Sequence, residues 1–121
     1  MTRYVVLVAY APGDWADASP EVRQGYSDAH HAFERYVDTH GRRISGAPLA
    51  DAETATTLAP GAAEDRVVTD GPFVELAEQV GGYYDVELPD LDAAIAAARL
   101  LPSAYTVEIR PVVEIPDHAP L

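Results

Sequence analysis

The chain has 121 residues, of which 20 are acidic, eight are basic and four are histidine; it has no cysteine, and its formal net charge is −12. This length suits one domain with a core that needs no disulfide, and the lack of cysteine excludes thiolate metal sites and cysteine nucleophiles. All eight basic residues are arginines, so Schiff-base chemistry and a P-loop are excluded as well. The acidic charge disfavours nucleic acid and anionic membranes as partners, and we expect a soluble, cytoplasmic protein.

The first predicted element is a strand at 4–10, which is apolar at both alternating sets of positions. This pattern is typical of a strand that is covered on both faces. Ser19 and Pro20 then form a helix start, and Gly41 is a natural helix end, so we predict a helix from about residue 20 to 40. The residues expected on its buried face are Val22, Tyr26, Ala29, Phe33 and Val37.

The middle of the chain carries short β-like segments at 43–45, 54–58 and 66–69, then a turn at 70–73. Residues 74–79 suit either a helical turn or an irregular segment, and Gly81 and Gly82 open a strand that continues to 88. Asp90 caps a second helix that Pro102 ends. Its predicted buried face comprises Leu91, Ala94, Ile95, Ala98 and Leu101. A last strand at 105–115 and a loose tail at 116–121 follow.

The predicted order is one strand, one helix, several strands, one helix and one strand. Two helices can cover one face of an antiparallel sheet, so the fold class is α+β with a ferredoxin-like split β-α-β arrangement in a single domain, residues 1–115. This arrangement leaves the second face of the sheet open, whereas the strand at 4–10 has the pattern of burial on both faces. We therefore predict a homodimer whose sheets pack face to face.

Without cysteine or lysine, histidine is the main candidate for chemistry. His30 and His31 are adjacent on the first predicted helix and point about 100° apart. His30 borders the buried stripe near Tyr26 and Phe33, whereas His31 lies on the solvated face. A partly buried histidine can transfer protons near neutral pH when a carboxylate orients its second nitrogen. The alternative is a histidine at the edge of the core that binds a backbone carbonyl.

Asp70 is the candidate carboxylate, because it stands before Gly71 and Pro72 in a rigid turn that Phe73 can anchor to the core. The alternative is that Asp70 only forms the turn. Glu75 and Glu78 share a face if their segment is helical, but the chain has no compact histidine and carboxylate spacing for a metal, so no metal is expected.

Arg110, on the polar set of the last strand, is expected either to form an ion pair across the dimer or to bind an anionic substrate. No serine lies in a Gly-x-Ser-x-Gly motif, so a serine hydrolase is not supported.

Four ordered motifs resemble the DGPF-motif branch of the YCII-related proteins: 68–75 (VTDGPFVE), 78–84 (EQVGGYY), 91–94 (LDAA) and 107–112 (VEIRPV). The resemblance implies a dimeric α+β barrel and a cleft between the first helix and the sheet, with a His–Asp pair as the proposed active site. His30 matches the family's helix histidine, and Asp70 is the candidate partner. Ala77 replaces a lysine that is common in this branch, and 45–47 (SGA) replaces a Gly-Gly-Glu-like turn.

The resemblance also implies a function, since family members include a lyase that acts on a hydroxylated aromatic ring. We therefore expect a cofactor-independent enzyme that performs elimination or isomerisation on a small molecule of this kind. His30 would act as base or acid, Asp70 would orient it, and Tyr26, Tyr83 and Arg110 would bind the substrate. The alternative is a non-catalytic dimer that binds a ligand or a protein; because DGPF proteins are often encoded beside sigma factors, a sigma factor is a candidate partner.

Overall fold

A computed structural model describes residues 1–73 and 78–117 of the chain. The fold is α+β, as predicted, with two α-helices, a four-stranded antiparallel sheet and a separate two-stranded sheet. The elements in chain order are β1 (Thr2–Tyr10), α1 (Pro20–His40), β2 (Arg42–Pro48), β3 (Thr56–Leu58), β4 (Val68–Asp70), β5 (Gln79–Leu88), α2 (Leu91–Ala98) and β6 (Thr106–Pro111). The larger sheet has the order β2-β5-β1-β6, and β3 pairs with β4.

Strand β1 lies between β5 and β6, and its two faces differ in burial. Tyr4, Val6 and Val8 are at most 5% exposed and form the core with residues of both helices. The alternate residues Val5 and Leu7 are only half-buried, since the described helices pack on the other face. The predicted burial of both faces of this strand depends on a dimer, and it is incomplete in the single chain.

Helix α1 begins and ends where the sequence signals lie. The Ser19 side chain accepts a hydrogen bond from the Val22 backbone N–H, Pro20 occupies the first turn, and the Gly41 N–H donates to the Val37 carbonyl. Phe33 and Val37 are fully buried, as predicted. Val22 is 46% exposed, contrary to prediction. The neighbouring Arg23 bonds the backbone of the loop before the helix at Trp15 and Ala16, so this first turn packs beside that loop.

Helix α2 is capped by Asp90, whose side chain accepts from the Ala93 N–H. Ala94 and Leu101 are buried as expected, but Leu91 and Ile95 are 50% and 37% exposed. Ala97, which was not predicted to be buried, is fully buried instead. The alanine face therefore points to the core, since small side chains allow α2 to approach its neighbours closely.

The last strand is shorter than predicted. β6 ends at Pro111, which pairs with Tyr4, and the Val112 N–H still donates to the Arg3 carbonyl. Pairing stops there because β1 itself begins at Thr2, so the predicted extension to residue 115 has no partner strand.

The turn after β4 has the predicted glycine conformation, since Gly71 has φ of 99°. Phe73, however, is 86% exposed, so within one chain it does not anchor this turn to the core. The predicted segment at 74–79 is described only in part. Residues 74–77, which include Glu75 and Ala77, lie outside the described residues, and Gln79 begins β5.

Candidate functional site

A cavity of about 940 Å³ lies between α1, the loop before it and the ends of the central strands. Several of its lining residues carry aromatic or imidazole rings: Tyr10, Trp15, Tyr26, His30, His31, Tyr83, Tyr84 and Tyr105.

The His30 imidazole is half-buried at this cavity and is held by hydrogen bonds at both nitrogens. Its Nδ1 lies 2.8 Å from the Tyr84 hydroxyl oxygen, and its Nε2 lies 2.9 Å from the Tyr105 hydroxyl oxygen. The Tyr84 hydroxyl also donates to Glu34 Oε2, at 2.9 Å. His30 is therefore the centre of a chain of four polar side chains, and the alternative that it binds a backbone carbonyl is wrong.

Helix and strand geometry bring these groups together. Glu34 is four residues after His30, so both side chains lie on one side of α1. Tyr84 belongs to the set of β5 residues that faces the helices, together with the buried Val86 and Leu88. Tyr105 directly precedes β6, in a turn closed by its N–H donating to the Pro102 carbonyl.

Burial determines the protonation states of His30, Tyr84 and Tyr105. It lowers the pKa of His30 below its ordinary value of 6.5, although the nearby Glu34 carboxylate acts in the opposite direction. Burial raises the pKa of Tyr105 to about 12, and burial together with the hydrogen bond to Glu34 raises that of Tyr84 further. At neutral pH His30 is therefore a neutral imidazole between two neutral phenols.

A row of aromatic rings in contact with one another forms one wall of the cavity. Ring centroids are 6.1 Å apart for Trp15 and Tyr26, 6.0 Å for Tyr26 and Tyr105, and 5.2 Å for Tyr10 and Tyr105. These spacings are typical of favourable aromatic pairs. The row offers a flat apolar ligand a surface on which to stack.

Three of the five predicted site residues line the cavity: His30, Tyr26 and Tyr83. Tyr83 alternates with Tyr84 along β5, so its side chain belongs to the opposite face of the sheet.

Asp70 and Arg110 do not line the cavity. Asp70 is the exposed last residue of β4, and both nitrogens of His30 already bind phenol oxygens. Arg110 is exposed on β6, where its Nε lies 4.0 Å from Glu108 Oε2. The chain thus does not bring His30 and Asp70 together, and Arg110 lies away from the predicted substrate site.

Sequence reasoning missed Tyr84, Tyr105 and Glu34. Alternation along the predicted strand groups Tyr84 with Val86 and Leu88, but a strand pattern does not identify the partner of a hydroxyl. The spacing of four residues between His30 and Glu34 was the available signal for a neighbour of His30 on the helix. Glu34 also lies near His31, whose Nδ1 is 3.5 Å from Glu34 Oε1.

Across residues 1–73 and 78–117, no three His, Asp or Glu side chains are grouped as metal ligands would be. No helix in this part of the chain has the length and apolar character needed to cross a lipid bilayer.

The chain is similar to a known protein family and to an uncharacterized protein. A family model described as "YCII-related domain" matches residues 2–116. An uncharacterized protein of Rhizobium meliloti (strain 1021) is 38% identical over 82 residues, which cover 64% of this chain and 64% of the relative. The aligned part therefore spans slightly less than two thirds of that relative's length.

Proposed function

The chain belongs to the YCII-related family, and on that premise we propose that it is an enzyme that performs cofactor-independent acid–base chemistry on a small hydroxylated aromatic molecule. The reaction class is elimination or isomerisation, with His30 as the central acid–base group. The observation that carries the proposal is the neutral His30, held between Tyr84 and Tyr105 at the wall of an aromatic cavity. Such reactions need one positioned proton acceptor and an apolar pocket.

The charge of the cavity supports a neutral substrate. Among its described lining residues are the acidic Asp14, Glu34, Asp51 and Glu53, and none is an arginine. A carboxylate or phosphate substrate would meet repulsion there, whereas a neutral phenol can stack on Tyr26 and Tyr105 and form hydrogen bonds. Tyr26 is therefore retained in the proposed binding site, and Arg110 is not.

We further propose a homodimer built on the open face of the sheet. The order β2-β5-β1-β6 with two helices on one face is compatible with the ferredoxin-like split arrangement. On the other face, Val5 and Leu7 remain half-buried. A second copy on this face would complete their burial and form the α+β barrel, and light scattering after size exclusion should give twice the chain mass. A monomer at micromolar concentration would contradict the dimer.

Asp70 has a place in the proposed chemistry only if it acts from another chain. It is exposed at the end of the β3–β4 sheet, and it does not line its own chain's cavity. An inactive Asp70→Asn variant that still binds substrate would support such a role.

The proposed activity can be tested with halogenated phenols and hydroquinones as probes, with released halide as the readout. We expect release by the natural protein and its loss in His30→Ala. His40→Ala is the matched control, since His40 is an exposed histidine at the end of the same helix. No release from any probe, or equal release by His30→Ala, would refute the proposal.

A second candidate function is non-catalytic binding of a ligand, with a sigma factor as the candidate protein partner. The specific observation in its favour is that both His30 nitrogens are already occupied by hydrogen bonds within the chain. In that case phenols would bind in the cavity, no probe would be converted, and His30→Ala would affect only affinity.

A further inference from the structure

We infer that Tyr105 is the group that touches the reacting hydroxyl, and that a directed relay passes its proton through His30 and Tyr84 to Glu34. The inference rests on the proposed function, and it names the residues that carry the proton of the substrate hydroxyl. It follows from the number of protons that each group can donate.

The direction is determined at Glu34. An ionised carboxylate accepts hydrogen bonds and donates none. The Glu34 carboxylate has a cationic partner, since Arg43 Nη1 lies 3.5 Å from its Oε1. The hydroxyl of Tyr84, which has one proton, therefore donates that proton to Glu34 Oε2.

Tyr84 can then only accept in its second hydrogen bond. Its partner there is His30 Nδ1 at 2.8 Å, so Nδ1 carries the imidazole proton. A neutral imidazole has one N–H, so Nε2 is the acceptor and must receive the Tyr105 hydroxyl proton across 2.9 Å. All three hydrogen bonds consequently point from Tyr105 toward Glu34.

Because Tyr105 donates its proton to His30, the Tyr105 hydroxyl oxygen can still accept a hydrogen bond from a ligand. Its hydroxyl proton is committed to His30, and within the described part of the chain its oxygen has no other hydrogen-bond partner. The Tyr105 ring lies on the cavity wall, where it stacks on Tyr10 and is tilted against Tyr26. A phenol stacked on this wall can therefore donate its own hydroxyl proton to Tyr105 Oη.

Transfer through the relay balances in four linked steps. The phenol O–H bond breaks as its proton bonds to Tyr105 Oη, and the former Tyr105 proton moves to His30 Nε2. The His30 Nδ1 proton moves to Tyr84 Oη, and the Tyr84 proton moves to Glu34 Oε2. The products are a phenolate and a neutral Glu34 carboxylic acid, while Tyr105, His30 and Tyr84 each keep their number of protons.

The groups around His30 and the exposure of Glu34 suit proton transfer along the relay. The titratable or charged groups around His30 are Glu34, His31 and Tyr26 on α1, Tyr84 on β5 and Tyr105 before β6. The Glu34 side chain at the end of the relay is 24% exposed, so it can release the received proton to solvent.

The direction is testable without a ligand, by nitrogen NMR of the histidine side chains in the natural protein above pH 7. We expect His30 to be protonated at Nδ1. His40 is an internal reference, because its Nδ1 lies 2.9 Å from the Tyr36 carbonyl and must be protonated to bond there. A His30 ring protonated at Nε2 would overturn the inference, whatever the activity of the protein.

The contact at Tyr105 is testable with phenol and anisole as probes, since anisole cannot donate a hydrogen bond. We expect the natural protein to bind phenol more tightly than anisole by about tenfold, and Tyr105→Phe to lose this preference while retaining the ring. Tyr26→Phe is the control and should keep it. A preference that survives in Tyr105→Phe would overturn the inference. Failure of the proposed function alone would give a different result. Halide release would then be absent, while His30 would still be protonated at Nδ1 and the protein would still prefer phenol to anisole.

Discussion

The hydroxyl oxygen of Tyr84 lies 2.9 Å from Glu34 Oε2 and links β5 to α1. The same oxygen lies 2.8 Å from His30 Nδ1, so one hydroxyl joins the sheet to two positions on the helix. The bond to Glu34 is charge-assisted and partly shielded from water, which makes it stronger than a typical surface hydrogen bond.

Replacement of Tyr84 by Phe should therefore lower the free energy of unfolding, by about 2 kcal/mol, because Glu34 and His30 each lose a partner. Urea denaturation monitored by circular dichroism gives the measurement. Tyr36→Phe is the control, because Tyr36 packs against the same core and no hydrogen bond to its hydroxyl is found in the described residues. Equal losses in the two variants would show that the Tyr84 hydroxyl has no special role.

The stability of the protein should depend on pH through His30. Its folded pKa lies below the unfolded value of about 6.5, so the unfolded state binds the proton more readily. The contribution of His30 is fully present above pH 6.5 and is lost as the pH falls through the folded pKa. Denaturation of the natural protein and His30→Gln between pH 5 and 8 should show a difference that shrinks toward low pH. A His30 resonance that titrates at or above 6.5 would contradict this.

The pKa of His30 should respond to Glu34 and not to Asp70. The Glu34 carboxylate raises the pKa of His30, so Glu34→Gln should lower it further. Asp70→Asn should leave the His30 pKa unchanged, because Asp70 is exposed on β4 and does not line the cavity. Histidine resonances followed against pH in the two variants give the comparison. A shift in Asp70→Asn would show that Asp70 reaches His30, which within this fold requires a second chain.

Replacement of Gly81 by alanine should affect the binding of phenol, whereas replacement of Gly25 should affect only the stability of the protein. A Cβ atom at Gly81 would overlap the Tyr10 ring, so Gly81→Ala should displace Tyr10 from its stack with Tyr105 and weaken the binding of phenol. Gly25 lies within α1, and a Cβ atom there meets nothing within 4 Å. Gly25→Ala should therefore increase the free energy of unfolding by about 0.5 to 1 kcal/mol and leave binding unchanged. Calorimetric titration with phenol and urea denaturation test both, and a destabilised Gly25→Ala would contradict the expectation.

The local structure of this protein follows from residues that are close together in the sequence. Ser19, Pro20 and Gly41 delimit α1, and Asp90 begins α2, because capping depends on residues that are neighbours in the chain. The alternation in β5 likewise groups Tyr84, Val86 and Leu88 on one face, whereas β1 is apolar at both sets of positions, so its sequence did not distinguish the core face. Membership of the YCII-related family could also be inferred from its motifs.

The groups that bind His30, by contrast, are brought to it by tertiary packing. Tyr84 and Tyr105 lie 54 and 75 residues from it along the chain, and strand pairing and helix packing bring their hydroxyls to its two nitrogens. Alternation assigns Tyr84 to the buried face, but it does not specify what its hydroxyl binds. The orientation of α2 was decided in the same way, since packing placed Ala97 in the core and left Leu91 and Ile95 exposed. Both results depend on distances between separate elements, and local sequence patterns carry no information on those distances.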